Sequence, residues 1–365
     1  MIRVAVDAQA AAGQLTGLGV FTKNLIGAMT GTGDMPSSAA RGDFNFHFYQ
    51  DARYTTSTPK RLWWENKIFP ALARQGRADL VHIPAFAPAL CKRIKTVVTV
   101  HDLIGMLFPN QMGWASRLYW GKWLPLAVQQ SDAIIADSQS TCHDLTHHLG
   151  VDEKKIRVIY PSGHEHFKPD VGAESLRRIR ERLNLEHPYF IFVGTIEPRK
   201  NLSRVLSALA RLSSKTPVKL VVVGSKDFAH GTFFRQVGRD FSQILKDVIF
   251  TGYLEHQELN SLYCGSLALV YPSLYEGFGI PILEAMASEC PVITSHTSST
   301  PEVAGSAALL VDPLSEQEIF RAMEKLMEQP ALREQLKREG NLQIKKFSWQ
   351  QTAEQTMEVY RSVLS

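Results

Sequence analysis

Apolar-rich runs recur at short intervals in the first half of the chain: Ile2 to Ala8, Asn45 to Tyr49, Asp79 to Ile83, Thr96 to Val100, Ala133 to Ala136 and Ile156 to Tyr160. Their near-continuous hydrophobicity fits buried strands, and the helical stretches between them predict a doubly wound parallel sheet. The rhythm restarts at Tyr189 to Val193, Lys219 to Val223, Val248 to Thr251, Ala268 to Tyr271, Pro291 to Ile293 and Ala308 to Val311, which predicts a second such sheet. Between the halves, Tyr160 to Pro169 is rich in chain breakers and has the character of a linker. After Phe347-Ser348, helical spacing of Trp349, Ala353, Thr356 and Tyr360 predicts a terminal helix that packs on a domain. The expected class is α/β, with two doubly wound Rossmann-like domains.

The most informative stretch is Tyr271 to Gly305. It carries Glu276 and Glu284 with seven residues between them, and Gly277-Phe278-Gly279 directly after the first. The run ending at Tyr271 predicts a strand, and Pro281 suits the first turn of a helix through Ala287. A helix N-terminus offers unpaired N–H groups, and glycines let a phosphate or sugar come close. Carboxylates beside such a site repel anions and suit neutral hydroxyls, so a ligand bearing both phosphates and polyols fits, a nucleotide sugar above all. On spacing alone, a plain strand-turn-helix unit explains the pattern equally well.

Other candidates sit at predicted strand ends. Arg199-Lys200, after the first strand of the second half, is placed to neutralise a diphosphate. His101-Asp102 closes the VVTV strand, where an imidazole can bond a sugar hydroxyl or simply pack. The loop Gly13 to Gly19 precedes a helix expected from Val20 to about Met29; Gly17 and Gly19 look like a truncated dinucleotide fingerprint, with Thr22 where a third glycine would fall. Asp137-Ser138 has the look of a helix cap.

At 365 residues and 40.9 kDa the chain has room for two domains. A net charge of +4, without zinc-finger, RNP or dense basic patterning, argues against nucleic acid. Four scattered cysteines without a CxxC pair suit reduced thiols in the cytoplasm, and no signal peptide or run of ~18 apolar residues is present, so membrane contact is expected to be peripheral, on the inner face of the cytoplasmic membrane. Five of the six tryptophans lie in the first half, at Trp63-Trp64 and within Trp114 to Trp123. From Cys91 to Trp123, five Lys/Arg face one acid, a combination that suits an anionic lipid interface; Trp120 is expected to pack inward instead. His143, His147 and His148 offer at most an i,i+4 pair, His164 and His166 are expected to be solvated linker residues, and no Asp-x-Asp occurs, so no metal site is expected.

Taken together, TGLG, the VHD strand end, ADS at 136–138, GTIEPRKN, the E-x7-E pair and the FSW-led last helix resemble the retaining glycosyltransferases of family 4, with the GT-B architecture. The resemblance covers nearly the whole chain. It implies residues 1–164 plus helix 347–365 as an acceptor-binding domain, residues 165–346 as a nucleotide-sugar-binding domain, and a cleft between them. Glu284 would then bind ribose and Glu276 the transferring sugar, with Gly277, Phe278, Gly279 and Ile280 meeting sugar and phosphate. Arg199 and Lys200 would hold the departing diphosphate, Gly17 and Gly19 would close over the phosphates, and His101 would touch the donor sugar. Front-face attack with retention would follow, without a metal cofactor. GTIEPRKN and HDL look like the mannosyltransferase branch, making GDP-mannose the first choice of donor and a lipid-linked or polysaccharide-precursor glycan the acceptor. The residues themselves leave guanine and uracil open, and a nucleotide-sugar epimerase, a phosphorylase or a non-catalytic binding module stay as alternatives. Pro161-Ser162-Gly163 departs from the asparagine-glycine turn of many relatives at the hinge.

Overall fold

The computed structural model describes residues 1–12, 17–32, 35–55, 58–85, 93–109, 117, 119–224 and 231–365. Gly13 to Thr16, Cys91, Lys92 and Trp114, which enter the readings above, lie outside them. The chain divides into two compact units, Met1–Pro161 with Phe347–Ser365, and Ser162–Lys346.

The first unit is built on β1 (Ile2–Asp7), β2 (Ser38–Arg41), β3 (Phe44–Tyr49), β4 (Leu80–Ile83), β5 (Lys95–Val100), β6 (Ala133–Ala136) and β7 (Ile156–Val158). Their order is β2-β3-β1-β4-β5-β6-β7, parallel throughout except for the antiparallel β2–β3 edge. Successive residues face opposite sides, and both sides are covered. Val4, Val6 and Val97 join a core with the helices Gly17–Thr30 and Trp349–Leu364, while Ala5, Val81 and Ile83 pack on Trp64 and Phe69. That double burial is why the strands lack polar alternation. β2 was not foreseen, because Ser-Ala-Ala-Arg at an exposed edge carries no apolar signal.

Two local expectations change and a third holds. The helix after β1 begins at Gly17 rather than Val20, so Gly17 and Gly19 belong to its first turn. Trp64 is no interface residue: it is 1% exposed, and its indole N–H donates to Asp7 at 3.0 Å, whereas Trp63 is 56% exposed. The Gly105 backbone lies so close beneath the Trp120 ring that a Cβ there would come within 2.2 Å of it, and the ring packs inward as expected.

The last helix, capped by Ser348, closes this unit from a great distance in sequence. Thr352 Oγ1 donates to the Tyr160 carbonyl at 2.7 Å, and the buried Tyr360 hydroxyl lies 2.6 Å from His82 Nδ1, whose Nε2 meets Thr99 at 2.9 Å. Burial holds His82 down at about 3, so the ring is neutral and can accept from Tyr360.

The second unit carries β8 (Tyr189–Val193), β9 (Lys219–Val223), β10 (Val248–Gly252), β11 (Leu269–Tyr271), β12 (Val292–Ser295) and β13 (Ala308–Val311). All are parallel, in the order β10-β9-β8-β11-β12-β13. The linker segment is less solvated than its composition implies. Ser162 is buried, Gly163 lies against the Ile280 side chain, and His164 is half-buried beside Ser162 Oγ at 3.1 Å, so the second unit begins at Ser162. His166 is exposed and stacks on His256 with ring centres 5.0 Å apart.

Candidate functional site

The strand order of the second unit reverses between β8 and β11, where Leu269 pairs with Ile191. In open parallel sheets a ligand crevice forms beyond the carboxyl ends of the strands at that reversal. Two loops leave the sheet there. After β8, Gly194 adopts φ +140°, a conformation L side chains rarely adopt, and a Cβ on it would approach Lys200 Cε to 3.3 Å. The chain then makes a short 3-10 turn, Pro198–Lys200, ended by Asn201 in a left-handed conformation at φ +67°. Asn201 Nδ2 donates to the carbonyls of Pro272 (2.9 Å) and Pro313 (2.6 Å), and the Arg199 carbonyl accepts from the Leu274 amide at 2.9 Å. The two loops are thereby tied together. No role was foreseen for Asn201, although it stands inside the GTIEPRKN motif.

These ties converge Arg199, Lys200 and Glu276. Lys200 Nζ donates to Glu276 Oε1 and to the Tyr271 hydroxyl, each at 2.7 Å. Arg199 Nη1 donates to the Tyr275 carbonyl at 2.6 Å and lies 2.9 Å from Glu276 Oε2, while Nη2 donates to Glu197. Each oxygen of Glu276 therefore faces one cation. Arg199 Nε, buried, has no hydrogen-bond partner among the described residues, a state that calls for an explanation such as a ligand. Burial pushes the Glu276 carboxyl up, but Lys200 and Arg199 outweigh it and hold the group at about 2. Burial also pulls the Lys200 ammonium below its ordinary range, with Glu276 opposing, and works against the Arg199 charge, which Glu276 and Glu197 more than restore. Two cations and two carboxylates thus balance before any anion arrives.

The second loop is shaped by serines that sequence reasoning passed over. Ser298 Oγ accepts from the Glu276 amide at 3.0 Å, and Ser299 Oγ lies 3.0 and 2.7 Å from the carbonyls of Glu276 and Phe278. Their signal was a Ser-Ser-Thr-Pro helix start within the same stretch. Gly279, at φ +109°, leads into the helix Ile280–Ala287, which has Pro281 in its first turn and no side-chain cap. Pro281 has no N–H, and the Ile282 amide donates to the Gly279 carbonyl at 3.0 Å.

Glu284 lies on that helix, where burial raises its carboxyl to about 7 against the Tyr263 hydroxyl, which donates to Oε2 at 3.0 Å. A folded-state value above the ordinary 4.5 favours the neutral form. Stability from this group is full below about 4.5 and lost as the pH rises through about 7. Glu284→Gln is therefore expected to raise the urea midpoint above wild type at about pH 8 and to leave it unchanged near pH 4. Equal shifts at both pH values would contradict this.

In the first unit His101 follows β5, with Nδ1 2.5 Å from Asp137 Oδ2 and Nε2 2.7 Å from the Pro84 carbonyl. A carbonyl only accepts, so Nε2 carries a proton, and a carboxylate opposite Nδ1 favours the doubly protonated, charged ring. Burial opposes that charge, but Asp137, Pro84 and Asp102 outweigh it and hold the ring above its ordinary value. Asp137 thus serves His101, and the helix cap falls to Ser138, which accepts from the Thr141 amide at 3.0 Å. Both ring nitrogens have protein partners, so a ring N–H bond to a sugar needs one of these to open. Among the described residues no three or more His, Cys, Asp or Glu are grouped to hold a metal ion, and no helix is long and apolar enough to cross a membrane.

Two Rossmann-like α/β units, one with a buried Arg–Lys–Glu cluster at its switch point, place the fold in the GT-B class. Residues 17–162 match the family described as Glycosyltransferase Family 4, and residues 175–343 match Glycosyl transferases group 1. The chain belongs to the family 4 glycosyltransferases. It is 29% identical over 276 residues to the serotype-specific mannosyltransferase WbdA of Escherichia coli, an alignment spanning 74% of this chain and 34% of WbdA. The chain thus spans about a third of the length of that relative. Against the O-antigen chain mannosyltransferase B of Escherichia coli, identity is 28% over 269 residues, with 73% of this chain and 70% of the relative covered. The fold superposes on Anabaena HepE, solved in complex with UDP-glucose, with a TM-score of 0.77 at 15% identity, covering 99% and 100% of the two chains.

Proposed function

We propose that this chain transfers a hexose, mannose from GDP-mannose in the first instance, with retention, to a lipid-linked or polysaccharide-precursor acceptor in cell-surface glycan biosynthesis. The observation that carries the reading is the Arg199–Lys200–Glu276 cluster at the β8/β11 reversal. A diphosphate arriving there competes for the two cations, and Glu276, freed in part, turns its oxygens to sugar hydroxyls. Arg199 and Lys200 then stabilise the charge that grows on the leaving phosphate, which calls for no metal. Amides from Gly277 to Ile280 complete the phosphate contacts, and Glu284 takes the ribose diol. Gly17, Gly19 and His101 are assigned to the same reaction from the first unit. The names of WbdA and its O-antigen counterpart support mannose, and the UDP-glucose of HepE supports a nucleotide-sugar donor.

The test is transfer from GDP-mannose, UDP-glucose and their analogues by Arg199→Ala, whose rate is expected to fall about 10²-fold or more, with wild-type transfer unaffected by EDTA. Near wild-type transfer by the variant from every donor would sink the assignment, and an EDTA-sensitive wild type would sink metal independence. Nucleotide release without an acceptor product would favour simple hydrolysis, and loss of configuration in the product would remove retention.

Peripheral contact with an anionic membrane belongs to the same reading, because it brings a lipid-linked acceptor within reach. Trp63 is 56% exposed at the end of the helix Thr58–Trp63, beside exposed Lys60 and Lys67, and Leu126 is 43% exposed. Sedimentation with phosphatidylglycerol vesicles at low salt is expected, weakened by Trp63→Ala and by about 1 kcal/mol for each basic residue removed. Wild-type protein left in the supernatant would end this part of the proposal.

A further inference from the structure

The helix His256–Gly265 packs beside the helix Ile280–Ala287, and it buries a phenol: Tyr263 is fully inaccessible, its ring edge-on to Phe167 at 5.8 Å. A buried tyrosine hydroxyl needs a partner, and this one finds Glu284 Oε2 at 3.0 Å. One turn away the same helices are tied again, since Ser288 Oγ lies 2.7 Å from Asn260 Oδ1 and 2.8 Å from the Glu284 carbonyl. With the ring wedged and the helices joined twice, the phenol has a defined place. Burial and Glu284 keep it neutral far above its usual range, so toward the Glu284 carboxylate it keeps a proton to donate. Glu284 itself keeps partial exposure, and its Oε1 has no protein partner among the described residues.

We propose that Tyr263 is the positioning residue of the diol-binding carboxylate: it holds Glu284 Oε2 and so presents Oε1, in a single orientation, to the ribose hydroxyls. This inference rests on the reading of Glu284 as a ribose contact. The hydrogen bond does two things at once. It orients a flexible side chain, and it stabilises the ionised carboxyl, the form that accepts from hydroxyls, against a burial that favours the neutral acid. Tyr263 is the charged or titratable group that acts on Glu284 among the described residues, and Tyr263 in turn faces Cys290 and Tyr271.

Calorimetric binding of GDP and UDP, and of their 2′,3′-dideoxy forms, across pH 5 to 9 by wild type, Tyr263→Phe, Ser288→Ala and Glu284→Ala separates the roles. Tyr263→Phe is expected to weaken the ribonucleotide about tenfold near pH 7, to move the tight-binding limb of its curve to higher pH, and to leave the dideoxy form unchanged. Ser288→Ala loosens the same helix pair without touching the carboxylate, so its pH curve is expected to overlie wild type. Weakening of both nucleotide forms alike by Tyr263→Phe, or a pH curve that stays in place, would reduce Tyr263 to a packing residue. If Glu284→Ala weakens the ribonucleotide and Tyr263→Phe does not, the positioning role alone fails. If Glu284→Ala has no effect, or neither nucleotide binds wild type, the ribose reading fails and takes this inference with it.

Discussion

Glu276→Ala is expected to lower sugar transfer by about 10²- to 10³-fold and to destabilise the second unit by roughly 3–5 kcal/mol. Both effects have one origin. Glu276 shares its two oxygens between Arg199 and Lys200, and the alanine variant leaves two cations buried without their common counterion. Removing one member of a buried charge group exposes the desolvation penalty of the rest, and Lys200, already pulled below its ordinary range by burial, is expected to lose its proton. The wild-type carboxyl is held at about 2, below its ordinary 4.5, so its stabilisation is present above pH 4.5 and is lost as the pH falls toward 2. Glu276→Gln keeps the shape and removes the charge. Its unfolding midpoint is expected to lie below wild type at pH 7 and to converge with it near pH 2. Urea titrations at the two pH values, together with initial rates, check this; a variant as stable and as active as wild type at pH 7 would show that the cluster is ornamental.

The second large effect lies far from that site. Tyr360→Ala is expected to cost about 3–5 kcal/mol, as large-to-small changes of fully buried aromatics do, whereas Tyr360→Phe is expected to cost about 1 kcal/mol. The ring of Tyr360 stands edge-on to Phe44 at 5.9 Å and its hydroxyl meets His82 at 2.6 Å, so the alanine variant opens a cavity and strands the imidazole. The last helix is held to the first unit by such packing, by Thr352 and by the exposed Arg361–Asp43 pair at 3.1 Å, since the chain between them runs through the whole second unit. Denaturation followed by fluorescence of the Trp residues of the first unit reads the difference. If phenylalanine and alanine cost the same, the hydroxyl rather than the packing holds the helix.

Much of the fold was legible because the strands are covered on both sides: an uninterrupted Val/Ile/Phe run has few other uses in a chain of this composition. Twelve of the predicted strands appear, with ends shifted by a residue or two. The one that escaped, β2, sits at an edge with half its residues in solvent. Tryptophan was the poorest guide. Trp63 and Trp64 are neighbours in sequence, yet one faces solvent and the other donates to Asp7 in the core. Successive residues of a helical stretch point about 100° apart, so neighbours in sequence need not share a face.

The candidate site divides in the same way. Glu276, Gly277-Phe278-Gly279, Arg199 and Lys200 were visible because charge and glycine at strand ends have physical meaning without neighbours. That Arg199 and Lys200 meet the same carboxylate was not visible, because Glu276 lies 76 or more positions further along the chain. Neither was the service of Asp137 to His101, 36 residues away, nor that of Tyr263 to Glu284, 21 residues away. Local sequence determined which segments form strands and helices and which loops carry chemistry, since propensity and burial pattern act over a few residues. The tertiary structure alone decided which charges are paired, which buried nitrogen has no partner among the described residues and which carboxyl titrates near pH 7, because desolvation and Coulomb interaction depend on distance in space.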